Sequence, residues 1–183
     1  EGFLTRIKGK GTFVSKPKVT QDFMRKLEPF NEQIEKMNMI PKTKVICLSI
    51  VPPTPDVQEN LKVSADENVI FLSRIRYAND EPLVQVNTYL PFSCAEVLKH
   101  DLCEESLYAI LAKNESSKIV KVLRKLEAVN AEKDIAKYLN INVGTAVQLT
   151  KTVGYNSFNN PIEYSIAWYP GNKNTFIIEL SLD

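Results

Sequence analysis

Val69-Ile70-Phe71-Leu72-Ser73-Arg74-Ile75-Arg76-Tyr77-Ala78-Asn79-Asp80-Glu81-Pro82-Leu83-Val84-Gln85-Val86-Asn87-Thr88-Tyr89-Leu90 decides the fold. Strand-prone residues flank Asn79-Asp80-Glu81-Pro82, a run of turn formers. Strands over Val69–Ala78 and Leu83–Leu90 joined by so tight a turn must run antiparallel, because a parallel return needs a crossover of roughly a dozen residues. Alternation sets Arg74 and Arg76 on one face, with Cα atoms about 6.5 Å apart, and Phe71, Ile75 and Tyr77 on the other. A turn centred between Asp80 and Glu81 puts Arg76 opposite Gln85 and Arg74 opposite Asn87. The expected polar face is then Arg74, Arg76, Gln85, Asn87 and Tyr89, with Val84 and Val86 on the apolar side. Two guanidinium forks suit a phosphate or carboxylate, and amides beside a phenol suit a polyhydroxylated ligand. A solvent-facing sheet with exposed arginines fits the same alternation.

A second hairpin repeats the arrangement. Ala146–Asn156, a turn at Ser157–Asn160 and Pro161–Tyr169 place Glu163, Ser165, Ala167 and Tyr169 on one face. Ile162, Tyr164, Ile166 and Trp168 fall on the other, the expected core. Glu163 suits two sugar hydroxyls and Tyr169 a stacking or donating role; a half-exposed edge strand fits equally well. Working outward, further strands are expected at Lys42–Val51, Lys118–Val129 and Thr175–Leu182. Helices are expected at Phe30–Met39 with Asn31 as N-cap, and at Thr54–Lys62 with Pro55 in the first turn. Others are expected at Ser93–Lys99, Glu104–Ala112 and Ala131–Leu139. Tight hairpins with helices inserted between strands indicate α+β with a largely antiparallel sheet. Near the start, Phe3–Ser15 reads as a hairpin around Gly9-Lys10-Gly11, followed by a Pro-flanked linker over residues 16–29.

Composition narrows the function. The 183 residues carry a net charge of +1, yet residues 1–18 alone carry +4 and the remainder −3. That asymmetry fits an appended contact arm on a mildly acidic body, or simply a solvated tail. Cys47, Cys94 and Cys103 are odd in number and far apart, which argues against a disulfide framework and for a reducing compartment. With His100 the only histidine, no zinc ligand set suggests itself. No hydrolytic triad is apparent, nor any GxGxxG or Walker string. Gly9-Lys10-Gly11-Thr12 holds a fragment of the latter, but strand formers follow where a P-loop needs a helix. No metal, cofactor or catalytic residue is therefore expected, and no membrane span or signal peptide is evident.

Leu4-Thr5-Arg6 followed by Gly9-Lys10-Gly11-Thr12-Phe13-Val14 resembles the wing end of a GntR-type winged helix-turn-helix. Phe30-Asn31, the Ile70–Pro82 stretch, Tyr89-Leu90-Pro91, Ser106-Leu107-Tyr108, Glu127, Leu139–Gly144 and Pro161–Ser165 continue the resemblance in order. Together they resemble the effector-binding (UTRA) domain of HutC-type regulators in the GntR superfamily. The resemblance implies a chorismate-lyase-like α+β fold, homodimerisation, a cytoplasmic repressor rather than an enzyme, and a small anionic effector, a sugar phosphate, that modulates operator affinity. It implies three segments: 1–15 as the end of a DNA-binding domain whose recognition helices precede Glu1, 16–29 as linker, and 30–183 as effector-binding and dimerisation domain. Operator DNA would then be a partner of the intact protein only, with Lys8, Lys10 and Thr12 as wing contacts. Effector contacts are expected from Phe30, Asn31, Arg74, Arg76, Gln85, Asn87, Tyr89, Glu163, Ser165 and Tyr169. Two departures stand out: an amide, Gln85, where relatives often have an acid, and Pro170-Gly171-Asn172 where they often read Arg-Gly-Asp. A lyase of the same fold acting on an aromatic carboxylate is the alternative, and a dimerisation module with a vestigial pocket a third.

Overall fold

The computed structural model describes residues 3–9, 11–15, 18–21 and 29–179; the side chains of 3–7, 12–15 and 21 are left aside. Lys10 and the chain beyond residue 179 lie outside the described residues, as does most of the expected linker. Six strands form one antiparallel sheet in the order β4-β5-β6-β9-β8-β7. They are β4 (Pro41–Val51), β5 (Val69–Ala78), β6 (Glu81–Pro91), β7 (Lys121–Asn130), β8 (Ala146–Tyr155) and β9 (Pro161–Pro170). The early hairpin pairs β1 (Phe3–Ile7) with β2 (Gly11–Ser15). Gly9 and Gly11 take the positive φ that such a turn needs. Within the expected linker, β3 (Val19–Gln21) pairs in parallel with β10 (Asn174–Phe176), a long-range contact that local pattern does not announce. β10 is correspondingly shorter than the strand expected over Thr175–Leu182.

Helices cover both faces. On one, the 3₁₀ helix Phe92–Lys99 and α3 (Leu107–Leu111) bury Val97, Leu107, Ile110 and Leu111 against Ile70, Leu72 and Leu90. α1 (Phe30–Lys36) buries Ile34 against Ala78 and Leu83. On the other face, α2 (Pro55–Leu61) packs Val57 and Leu61 onto Val69, Val153 and Tyr164. α4 (Lys133–Leu139) packs Ala136 near Val147 and Trp168. Each fully buried Leu, Ile or Val stabilises by about 1.5–3 kcal/mol relative to exposure. Local chemistry sets several boundaries. Thr54 caps α2 by accepting from the Val57 backbone N–H, and Pro55 occupies its first turn. α1 differs from expectation: Pro29, not Asn31, is its N-cap, with no side-chain cap hydrogen bond.

Cross-strand register departs from the expected one, and a single residue is responsible. Asn79 and Asp80, both at positive φ, make a two-residue turn, so Ala78 pairs Glu81 and Tyr77 pairs Pro82. Leu83 is then an extra residue: Arg76 pairs Val84 and Arg74 pairs Val86. A bulge of one residue reverses the face of everything beyond it. Val84 and Val86 therefore share the arginine face. Gln85, Asn87 and Tyr89 stand on the opposite one, opposite Ile75, Ser73 and Phe71.

Candidate functional site

Carried across the sheet, the register assembles a pocket from strands distant in sequence. Arg74, Val86, Ala167 and Thr150 lie in one row, and Thr88, Ser165, Thr152 and Arg124 in the next. The pocket is lined by Arg74 and Arg76 from β5, Val84 and Val86 from β6, Glu163, Ser165, Ala167 and Tyr169 from β9, Thr150 and Thr152 from β8, and Arg124 from β7. Ser106, Leu107 and Tyr108 at the start of α3 close one side; Pro29, Phe30 and Gln33 of the α1 segment close another. Ser106 also caps α3, its hydroxyl accepting from the Ala109 backbone N–H.

Three arginines surround one carboxylate. Arg74 is 3 % exposed, and neither its Nε nor that of Arg76 has a hydrogen-bond partner. Burial, then the neighbouring Arg76, pushes the Arg74 guanidinium well below its ordinary value; burial also lowers Arg76, partly offset by Tyr169 and Glu163. Arginine stays charged in proteins, so this direction describes two cations poorly solvated at Nε, with Glu163 as the nearby counter-charge. The Phe30 ring supplies partial compensation, 5.0 Å from the Arg76 Cζ. Glu163 is buried, and its carboxylate accepts the Tyr108 hydroxyl at 2.5 Å. Burial raises the Glu163 carboxyl above its ordinary value, against the opposing pull of that hydrogen bond and of Arg74. Burial and then Glu163 push the Tyr108 phenol well up, while burial takes Tyr169 to about 12. Both phenols are thus neutral donors at pH 7. Thr150 adds a buried hydroxyl with no partner. Gly154 faces Glu163 across the strands, where an added Cβ would come 3.3 Å from its Oε2 and 3.1 Å from Ile119. The arrangement offers charged and neutral donors, one acceptor-bearing carboxylate and an apolar wall of Val84, Val86 and Ala167. It can bind an anion whose remainder bears both hydroxyls and apolar surface.

Of the expected effector residues, Phe30, Arg74, Arg76, Glu163, Ser165 and Tyr169 line this pocket, and Asn31 does not. Gln85, Asn87 and Tyr89 turn away from it. Gln85 instead donates to Ser73 Oγ and Asn87 Oδ1 at 3.2 and 2.7 Å, and Tyr89 packs between Phe71 and Tyr164. Arg124, Thr150 and Thr152 were not singled out in sequence, nor was Gln33. Arg124 was recoverable by alternation along β7, but nothing local says which face of that strand meets a pocket. Among the wing residues, Lys8 is exposed, Lys10 is outside the described residues, and Thr12 sits in β2. Among the described residues no His/Cys/Asp/Glu cluster suits a metal ion, and no helix is long and apolar enough to cross a membrane.

Comparison with known proteins adds an independent line. The model of the UTRA domain family matches residues 36–175. The chain is 30% identical over 177 residues to the HTH-type transcriptional repressor NagR of Bacillus subtilis, covering 97% of this chain and 72% of that protein. It is 22% identical to the mannosyl-D-glycerate transport/metabolism system repressor MngR of Escherichia coli, over 88% of this chain and 67% of that one. In fold it is similar to PhnF from Mycobacterium smegmatis, with a TM-score of 0.86 at 19% identity, covering 98% of this chain and 79% of that chain.

Proposed function

The chain belongs to the UTRA-domain family of GntR-type transcription regulators, and from that premise we propose that it senses a small anionic effector, a sugar phosphate, as a homodimer. Occupancy of the pocket changes the affinity of the intact protein for operator DNA, which the β1–β2 hairpin helps to contact through Lys8, Lys10 and Thr12. The carrying observation is the arginine pair, Arg74 buried and Arg76 half-buried, each with a buried, unpartnered Nε, in a pocket whose described acid is Glu163. A cation pair of this kind costs stability while empty and is relieved by an anion. Phe30, Arg74, Arg76 and Tyr108 hold the anionic group, and Glu163, Ser165 and Tyr169 the hydroxylated remainder. The names of relatives favour a sugar-derived ligand: one is the mannosyl-D-glycerate transport/metabolism system repressor, another the probable fructoselysine utilization operon transcriptional repressor. The relatives named are transcription regulators, which lends no support to a lyase, and we propose no catalytic step.

The test is a thermal-shift panel comparing a hexose 6-phosphate, the unphosphorylated hexose, inorganic phosphate and an aromatic carboxylate. Ligand that binds only the native state raises its apparent stability. A rise with the sugar phosphate exceeding that with either component alone supports the reading. Stabilisation by the aromatic carboxylate alone overturns it.

A further inference from the structure

Among the described residues that line the pocket, buried side-chain atoms with no hydrogen-bond partner fall at two places. Arg74 and Arg76 stand on β5, each with such an Nε. Thr150 stands on β8; it is 2% exposed, and its hydroxyl has no partner either. Between the two places the row is apolar, Val86 and then Ala167. Buried polar groups in native proteins are nearly all hydrogen-bonded, so a hydroxyl left open in a pocket lining marks a place for a ligand atom. Thr152 and Arg124, paired across β8 and β7, line the pocket beside it and make this end polar as well.

Spacing then sets the length of the ligand. Arg74 pairs Val86, Val86 pairs Ala167 and Ala167 pairs Thr150, so Thr150 lies three strands from Arg74. Spacings of about 4.8 Å put their Cα atoms about 14 Å apart. Side chains stand roughly perpendicular to a sheet, so most of that span persists in the pocket above it. A hydrogen bond of about 2.9 Å at each end leaves about 8 Å between the outermost oxygens of the ligand. A phosphate on a six-carbon sugar covers that span, and one on a three-carbon chain falls short.

We propose that Thr150 is a specificity-determining residue: its hydroxyl meets a hydroxyl at the end of the effector remote from the phosphate, and the pocket thereby selects hexose-sized over triose-sized phosphates. This rests on the sugar-phosphate reading of the preceding subsection and adds the group that measures the sugar. The arginine pair alone does not discriminate, because every phosphate monoester offers it the same oxygens. A buried hydroxyl three strands away is satisfied only by a ligand that reaches it, and a shorter one leaves it open.

The experiment is titration calorimetry of the 183-residue chain as wild type, Thr150→Val and Thr150→Ser, with the hexose 6-phosphate of the panel above and with glycerol 3-phosphate. Valine keeps the shape of threonine and deletes the hydroxyl; serine keeps the hydroxyl. Wild type should bind the hexose 6-phosphate more tightly. Thr150→Val should weaken that binding about 2- to 10-fold and leave glycerol 3-phosphate unchanged. Thr150→Ser should retain most of the wild-type preference. A valine variant that binds the hexose 6-phosphate as tightly as wild type overturns the inference. So does one that loses both ligands equally, because Thr150 then shapes the pocket without reading the sugar, and so does a serine variant as weak as the valine one. Glycerol 3-phosphate bound by wild type as tightly as the hexose 6-phosphate overturns the length argument and leaves the anion site standing. A wild type that binds neither phosphate overturns the sugar-phosphate reading itself, and this inference with it.

Discussion

Arg74→Met should make the protein more stable and unable to hold its effector. Methionine keeps the length and apolar stem of arginine while deleting a guanidinium that is 3 % exposed and lacks a partner at Nε. A buried donor left unsatisfied costs about 1–3 kcal/mol. The substitution also relieves repulsion from Arg76, which acts on Arg74 after burial itself. For a chain of this size each kcal/mol moves Tm by about 2–4 °C, so the unliganded variant should melt about 2–12 °C higher. Losing one charge-assisted hydrogen bond, worth about 1.5–3 kcal/mol, should weaken anion binding about 10- to 150-fold. Scanning calorimetry without ligand gives the first quantity, and titration calorimetry with a hexose 6-phosphate the second. An exposed-face reading predicts that truncation changes folding little; the burial seen here replaces it with a gain. A variant that melts lower than wild type refutes the account of Arg74 as a strained cation. One that melts higher yet binds equally well places the anion site elsewhere.

Three further outcomes follow from the same geometry. Glu163 has its folded carboxyl value raised, so its contribution is fully present below the unfolded value of about 4.3 and lost as pH rises through the folded one. Wild type should thus lose stability relative to Glu163→Gln from about pH 4 upward and then level off; urea denaturation giving a flat difference from pH 4 to 8 rules this out. Tyr108→Phe removes the donor 2.5 Å from the Glu163 carboxylate and should cost about 1.5–3 kcal/mol, seen as a lower urea midpoint at pH 7. Asp80→Gly should raise stability by about 0.5–1 kcal/mol, because Asp80 holds φ 65° in the two-residue turn and its ion pair with Lys42 is exposed; a lower calorimetric Tm would show that the aspartate is needed there.

The fold class and much of the pocket were legible in one dimension. Alternation along a single strand placed Arg74 with Arg76, and Glu163 with Ser165 and Tyr169, because side chains two apart share a face whatever surrounds them. Thr54-Pro55 announced α2, since a cap and a first-turn proline act locally. The resemblance to UTRA domains supplied the chorismate-lyase-like arrangement, which strand pattern alone left open.

What required the tertiary structure was every relation between strands. Leu83 bulges out of the β5–β6 ladder, and that one residue carries Gln85, Asn87 and Tyr89 to the face opposite the arginines. A bulge depends on how Leu83 packs with Ile34 and Ala78 beneath α1, a contact set by chain segments nearly fifty residues apart. Arg124 reaches the pocket because β7 lies beyond β8 and β9, and β3 finds β10 across almost the whole chain. Periodicity fixes which side chains of one strand travel together, while the face they turn to their neighbours is chosen by packing.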